Sequence, residues 1–315
     1  MFTGNFAEYK NAGTTKISIN DQGDIYNQQT KKDVWTRMGD APGTIGGGGS
    51  IAYTGGDYIY ALRGGETTDF YRYSISDNSW TAMTPISSTV SYGGSLVYTG
   101  GDYIYAIKGS VGTPFYRYSI SSNSWSTMTS APGGIGYGGS LTYTGGDYIY
   151  ALRGYNYTHF YRYSISGNSW DTMTSTPSSI RRGGSLVYAG GDYIYALRGI
   201  STTSFYRYSI SANSWTSKAS ILSPVHYGGS LSYTNGDYIY AFSGNNSTSF
   251  YRYSVSANSW MTMTSALGAI ERGGSLTYTG NYIYAFQGNA TASFYRYSLG
   301  SDTGYDKQAS GGLML

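Results

Sequence analysis

The chain contains no cysteine, which removes disulfides, thiolate metal centres and thiol nucleophiles from consideration. Histidine is almost as scarce: His159 and His226 are the only two, too few to build a histidine metal site or to make a Ser-His-Asp triad easy to assemble. Charged residues form 12% of the chain, 20 basic against 17 acidic. That balance gives no overall positive field, so no specific nucleic-acid partner is expected. No apolar stretch approaches the roughly 20 residues of a membrane-spanning helix, and membrane insertion is not expected. The opening MFTGNFAEYKNAG lacks a basic stretch followed by an apolar one, so the expectation is a soluble chain without a secretion signal. Proline is rare, with six residues, and helical periodicity of useful length is absent.

Glycine (46 residues) and tyrosine (38 residues) dominate instead, the composition of short strands, tight turns and wide aromatic burial. Trp35, Trp80, Trp125, Trp170, Trp215 and Trp260 fall 45 residues apart, the signature of a repeat architecture. Within one unit GGSIAYTG, DYIYALRG, FYRYSIS and NSWTAM each have strand length and composition and are separated by Gly, Asn, Asp or Ser. Four antiparallel strands per unit at this period predict an all-β, six-bladed β-propeller, in which radial repetition leaves only short protected sheet edges. Blades in such a ring pack face to face. That accounts for Tyr58-Ile59-Tyr60-Ala61-Leu62, where both alternating sets of side chains are apolar or aromatic. The stretch from Phe70 to Trp80 and its copies then recur because each presents one packing surface to the next blade. A fully buried Trp at such a place is worth roughly 3–5 kcal/mol.

The two ends of the repeat are complementary. The last unit runs through FYRYSLG, Phe294 to Gly300, with no Trp after it, while NQQTKKDVWTRM near the N-terminus supplies a Trp-bearing strand with no inner strands before it. The propeller is therefore expected to be closed by the N-terminal Trp35 strand, as the outermost strand of the sixth blade. DIYNQQT also fits the register of a third strand, which leaves the details of closure open. The layout that follows is an N-terminal extension over 1–24, the propeller over 25–299 and a C-terminal tail over 300–315.

Residues 33 to 298 resemble kelch repeats, in the bacterial style related to the galactose oxidase central domain. The resemblance rests on the Gly pair opening each first strand, the aromatic-Ile-aromatic second strand ending in glycine, the Tyr-rich third strand and the Trp about seven residues after its last Tyr. It implies a kelch-type propeller and little about function, because propellers host lyases, oxidases, hydrolases, lectins and scaffolds alike. Kelch units usually end the second strand in two glycines, whereas Arg63-Gly64 and its equivalents stand here.

Comparison of the six copies locates the variation. The turns Thr54 to Asp57 and Ser76 to Ser79 barely change between units. The five residues between Gly64 and Phe70 change almost completely, and so does the pair before each Gly-Gly-Ser: Gly46-Gly47, Ser91-Tyr92, Gly136-Tyr137, Arg181-Arg182, His226-Tyr227 and Glu271-Arg272. In a four-stranded antiparallel blade these two variable segments emerge at one end and the constant turns at the other. The variable positions are thus expected around one mouth of the central channel, where loops carry recognition. The candidate ligand-binding residues are Arg153, Tyr155, Tyr157, His159, Arg181, Arg182, Arg198, His226, Tyr227, Tyr92, Tyr137 and Arg272. Their guanidinium forks and aromatic platforms suit an acidic or neutral glycan or an acidic protein surface. Glu66, Asp69 and Glu271 put negative charge on another sector. The third-strand arginines Arg72, Arg117, Arg162, Arg207, Arg252 and Arg296 are expected to be packing residues whose stems lie on tyrosine, with Asp57 and its equivalents as candidate acceptors.

No catalytic residues are nominated. Glu66 and Glu271 have no second carboxylate at a fixed spacing, as glycosidases need. SISDNSW is one residue short of a sialidase box and lacks its glycine, and the cysteine-tyrosine crosslink of galactose oxidase has no cysteine to form it. The expectation is a non-enzymatic binding or adhesion propeller without cofactor or metal, with a glycan or protein surface as partner. The alternative is a structural component of a virion, tail fibre or extracellular filament, joined to a homo-oligomer or larger assembly through 1–24 and 300–315. Either role favours a place on an extracellular surface or a virion over the cytoplasm.

Overall fold

In the computed structural model residues 33–299 are described throughout, together with the strands Lys16–Ile19 and Ile25–Gln28. Two compact units are distinguished. Met1–Val34 with Ser298–Leu315 form one, in which the described part is Asp33, Val34, Ser298 and Leu299 together with an antiparallel pair of those two strands. Trp35–Tyr297 form the other, built from six four-stranded antiparallel sheets. No helix occurs among the described residues, hence none long and apolar enough to cross a membrane.

The sheets are the blades of an all-β six-bladed propeller. In the first, Ser50–Tyr53, Tyr58–Leu62, Phe70–Ser74 and Ser79–Ala82 pair in chain order from the channel outward. The sixth takes Ser275–Tyr278, Tyr282–Phe286 and Phe294–Ser298 from the end of the chain and Trp35–Arg37 from its beginning. Tyr295 stands opposite Arg37 and Tyr297 opposite Trp35, the closure expected from the two incomplete ends. Ile25–Gln28 pairs with Lys16–Ile19 instead of serving as a third blade strand. The rest of 1–24, and 300–315, lie outside the described residues.

Each face of a blade belongs to a different core. Tyr60, Leu62 and Phe70 pack with Leu96, Ile104, Ala106, Tyr116 and Tyr118 of the second blade. Ile59, Ala61, Tyr71 and Tyr73 pack with Tyr284, Phe286 and Phe294 of the sixth. Two-sided burial is what the uninterrupted apolar strand Tyr58–Leu62 is for. Phe70 meets the edge of Trp125 at 4.9 Å between centroids, and Trp125 donates its indole N–H to the Thr84 carbonyl of the preceding linker at 2.9 Å.

The tryptophans are not uniformly buried, so the cost of a fully buried Trp applies to one of them. Trp35 is 5% exposed, but Trp80, Trp125, Trp170, Trp215 and Trp260 are only partly buried. They sit on the outermost strand, where one edge of the indole reaches the rim. The largest fully buried side chains are tyrosines of the second and third strands, such as Tyr60, Tyr73 and Tyr118.

Polar residues repeat for reasons of their own. Ser50 Oγ accepts from the Leu96 N–H at 2.9 Å, Ser95 from Leu141, Ser140 from Leu186, Ser185 from Leu231, Ser230 from Leu276, and Ser275 from Ile51. These six bonds form a closed ring that staples each innermost strand to the next. On the constant face, Asp57 accepts from Ser74 Oγ at 2.6 Å and from the Ser76 N–H at 2.7 Å, joining two turns of one blade. Arg72 instead lies over the Tyr58 ring at 4.4 Å, and all six third-strand arginines repeat this stacking. The packing reading of these arginines holds, with tyrosine and not the Asp57 carboxylate as the fixed contact.

Candidate functional site

Two backbone devices bring the variable positions to one mouth of the channel. The first is the glycine that follows each variable pair. Gly138 adopts φ +83°, and a Cβ there would stand 1.8 Å from the carbonyl oxygen of Arg181. The innermost turns of neighbouring blades therefore touch through backbone alone, and the residue just before the glycine is turned into the channel. The second device is a two-residue turn between the second and third strands. Thr67 N–H closes it on Gly64 O at 3.2 Å, and Thr67 bridges to Val90, at the entry of the following blade. Loop tips and entry pairs thus lie side by side.

The second residue of each pair fills the mouth. Tyr92 and Tyr137 pack with centroids 4.5 Å apart, and Tyr227 stands 5.9 and 6.2 Å from them. The guanidinium of Arg182 lies over Tyr227 at 4.9 Å and over Tyr137 at 5.3 Å; that of Arg272 lies over Tyr227 at 4.6 Å and over Tyr92 at 5.9 Å. Three phenol rings and two guanidinium groups form a plug that leaves a cavity of about 90 Å³ against the ring of glycines. Burial, reinforced by Tyr227 and Tyr92, pushes the Tyr137 phenol up, so it remains a hydrogen-bond donor at neutral pH. His226, stacked edge-on against Tyr227 at 4.6 Å, is pushed down by burial and by the positive charge of Arg182.

Beside the plug, between the third and fourth blades, lies a hollow of about 480 Å³ lined by Tyr137, Tyr155, Asn156, Tyr157, Arg181 and Arg182. Tyr155 and Tyr157 are among the most exposed aromatic residues of the described chain, at 43% and 39%. Tyr155 is stacked parallel to Tyr137 at 6.1 Å. The Arg181 and Arg182 side chains make no ion pair among the described residues, and Arg182 Nε is buried without a hydrogen-bond partner. Unpaired guanidinium groups beside open aromatic faces can take an anion or a polar ring.

Of the twelve nominated residues, five line this hollow and three more, Tyr92, Tyr227 and Arg272, belong to the plug. His226 borders the plug through Tyr227. Arg153 and Arg198 do something else: their Nε groups donate to the Gly134 and Ser179 carbonyls, as Arg63 does to Thr44. The arginine before the second-strand glycine is thus a brace for the entry segment of its own blade. Arg153 also lies 3.5 Å under the Tyr157 ring and reaches His159 Nδ1 at 3.4 Å, so Arg153 and His159 support the hollow from beneath.

One lining residue was missed. Asn156 lines the hollow but sits in a loop whose residues differ in every copy, with nothing in its type to single it out. Glu66 and Glu271 line a second hollow of about 280 Å³ together with Tyr92 and Arg272. Their shared negative sign was legible; their convergence across two blades needs the closed ring. Asp69, grouped with them by charge, is engaged by Arg63 at 2.7 Å. Among the described residues no three His, Cys, Asp or Glu side chains come together as metal ligands would.

No protein family matches this sequence, and no curated protein does. Among solved structures the fold matches 1207 chains. One, described as the structure of YjhT, superposes with a TM-score of 0.66 over 84% of this chain and 98% of its own, at 14% identity. The likeness is one of fold. It extends over the propeller and carries no functional residue across.

Proposed function

We propose that this propeller is a non-enzymatic recognition module, built from kelch-type units, that binds a carbohydrate or a protein surface through its variable face. The observation that carries the reading is the hollow between the third and fourth blades, where Arg181 and Arg182 stand without ion-pair partners beside the exposed rings of Tyr155 and Tyr157. Tyrosine offers a sugar ring or a planar side chain a flat apolar surface at low entropic cost, and arginine offers a carboxylate or hydroxyl pair a planar fork. A role in adhesion or in decorating a larger particle is compatible with such a face and would use 1–24 and 300–315 as attachment segments.

The test is a glycan and acidic-peptide array probed with the wild-type protein and with R181A/R182A. The variant leaves the braces Arg153 and Arg198 untouched but removes Arg182 from the plug, so its melting temperature is measured beside its binding. The reading requires a bound class that the variant loses by about tenfold or more. Absence of any bound class, or equal binding by both proteins, contradicts it.

A further inference from the structure

The first blade differs from the other five at the channel mouth. Its variable pair is Gly46-Gly47, whereas every other blade carries Tyr or Arg at the second position. A Cβ on Gly47 would stand 2.5 Å from the Tyr92 ring, and one on Gly46 would stand 2.5 Å from Gly65 Cα. Bare backbone is therefore the floor of the 280 Å³ hollow, with Glu66 on one wall, Glu271 and Arg272 on another, and Tyr92 on a third.

The charges in this hollow are unequal. Neither Glu66 nor Glu271 makes an ion pair among the described residues, in contrast to Asp69. Arg272 feels the charge of Glu271 but makes no ion pair with it, because its guanidinium is turned over Tyr227 and Tyr92. Glu66 is held in place from its backbone, at φ +64° with its N–H on the Val90 carbonyl at 2.8 Å. Glu66 and Glu271, contributed by different blades, thus line one pocket of side-chain or monosaccharide size, next to an aromatic wall. With no third acidic or histidine ligand nearby, the arrangement suits an organic cation better than a divalent metal.

We propose that this hollow binds a primary ammonium group, the chemistry shared by a lysine side chain and an amino sugar, with Glu66 and Glu271 as its acceptors and Tyr92 against its apolar side. The site lies across the ring from the Arg181–Arg182 hollow and has the opposite sign. It does not depend on that hollow having a ligand. If both are occupied, the face selects a partner carrying separated positive and negative groups, which rejects ligands of uniform charge.

The test uses the full chain at low ionic strength, titrated separately with N-acetyl-lysine methylamide and with glucosamine, while the backbone amide resonances of Gly46, Gly47 and Gly65 are followed by NMR. The Nε-acetylated lysine compound serves as the neutral control. Saturable shifts are expected for at least one amine and none for the control, and the tighter of the two amines identifies the source. E66Q/E271Q should weaken that binding by about tenfold or more, and added salt should weaken it in the wild-type protein. No saturable shift with either amine overturns the proposal. So does an affinity that ignores salt, or one that survives in E66Q/E271Q with its thermal melting unaltered.

Discussion

The indole N–H of Trp35 donates to the carbonyl oxygen of Thr264 at 3.0 Å, across 229 positions of sequence. The other five indoles make the same bond to a carbonyl 41 residues earlier, so one local rule, applied at the junction of the two chain ends, closes the ring. Trp35 also packs against Phe242, Phe250 and Tyr297 on a strand of only three residues. The closing strand therefore depends on one side chain more than any other outer strand does.

That dependence predicts different costs for the same substitution. W35A should lose about 3–5 kcal/mol, as a buried aromatic does. W125A should lose less, because Trp125 already shows part of its ring to solvent. W35F, which removes the hydrogen bond but keeps most of the ring, should cost about 1 kcal/mol. Urea denaturation of the three variants measures these directly; equal losses for W35A and W125A would mean that closure carries no special weight.

The fold was legible because its causes are local and repeated six times. A fixed interval, strand-length runs and turn residues specify a blade, and the missing Trp after Phe294 points to the one supplied at Trp35. The depth of each Trp was not legible, since periodicity places a residue on the outer strand without saying how far the rim shields it. Nor was the role of Ser50, whose Oγ is used by the next blade and not by its own. At the site, variation among the copies picked out Arg181, Arg182, Tyr155 and Tyr157, which the ring brings together around one hollow. It grouped Arg153 and Arg198 with them because a brace and an arginine that lines a hollow look alike until the carbonyls of Gly134 and Ser179 are in place.

The loop tips should be improvable at the expense of their identity. Ile200 and Val111 hold φ of 54° and 57°, a region that costs a β-branched residue roughly 1–2 kcal/mol. The equivalent turn in the fifth blade uses Asn245-Asn246 at similar angles, the residue type this turn prefers. I200N and V111N should each raise stability by about 1 kcal/mol in chemical denaturation, and no change in either would show that the neighbouring loop contacts already offset the strain.

The serine ring predicts a loss out of proportion to the atoms removed. S95A deletes one oxygen from a buried side chain and leaves the Leu141 N–H without its acceptor at 3.0 Å. An orphaned buried donor costs about 1–3 kcal/mol. S122A, on the exposed outer turn where its hydroxyl meets only Ser119 and Ser124, should stay within about 0.5 kcal/mol of wild type. Comparable effects from the two would remove the ring from the account of blade cohesion.

Stability should fall at both ends of the pH scale, for opposite reasons. Asp57, Asp102 and Asp147 are held below the usual carboxylate range, first by the hydroxyls of Ser74, Ser119 and Ser164. A lowered folded value means the unfolded chain takes up protons first, so this contribution is present above about pH 3.9 and is lost as the pH falls further. Tyr73, Tyr118, Tyr163, Tyr208 and Tyr253 are pushed up, chiefly by burial. Each gives its hydroxyl proton to an asparagine at the outer turn, as Tyr163 does to Asn168 at 2.7 Å, and ionisation would set an anion against that acceptor oxygen. A raised folded value means the unfolded chain releases protons first, so stability is intact below about pH 10 and declines above it. Melting temperature should be flat from about pH 6.5 to pH 10 and should begin to fall below about pH 6.5, where the lowered His226 lets the unfolded chain take up a proton first. On the alkaline side the part of the tyrosinate absorbance that comes from these buried rings should appear in one cooperative step together with the loss of native fluorescence. Gradual ionisation of these tyrosines near pH 10 with the fluorescence unchanged would show that they titrate within the folded ring, and that burial does not protect them.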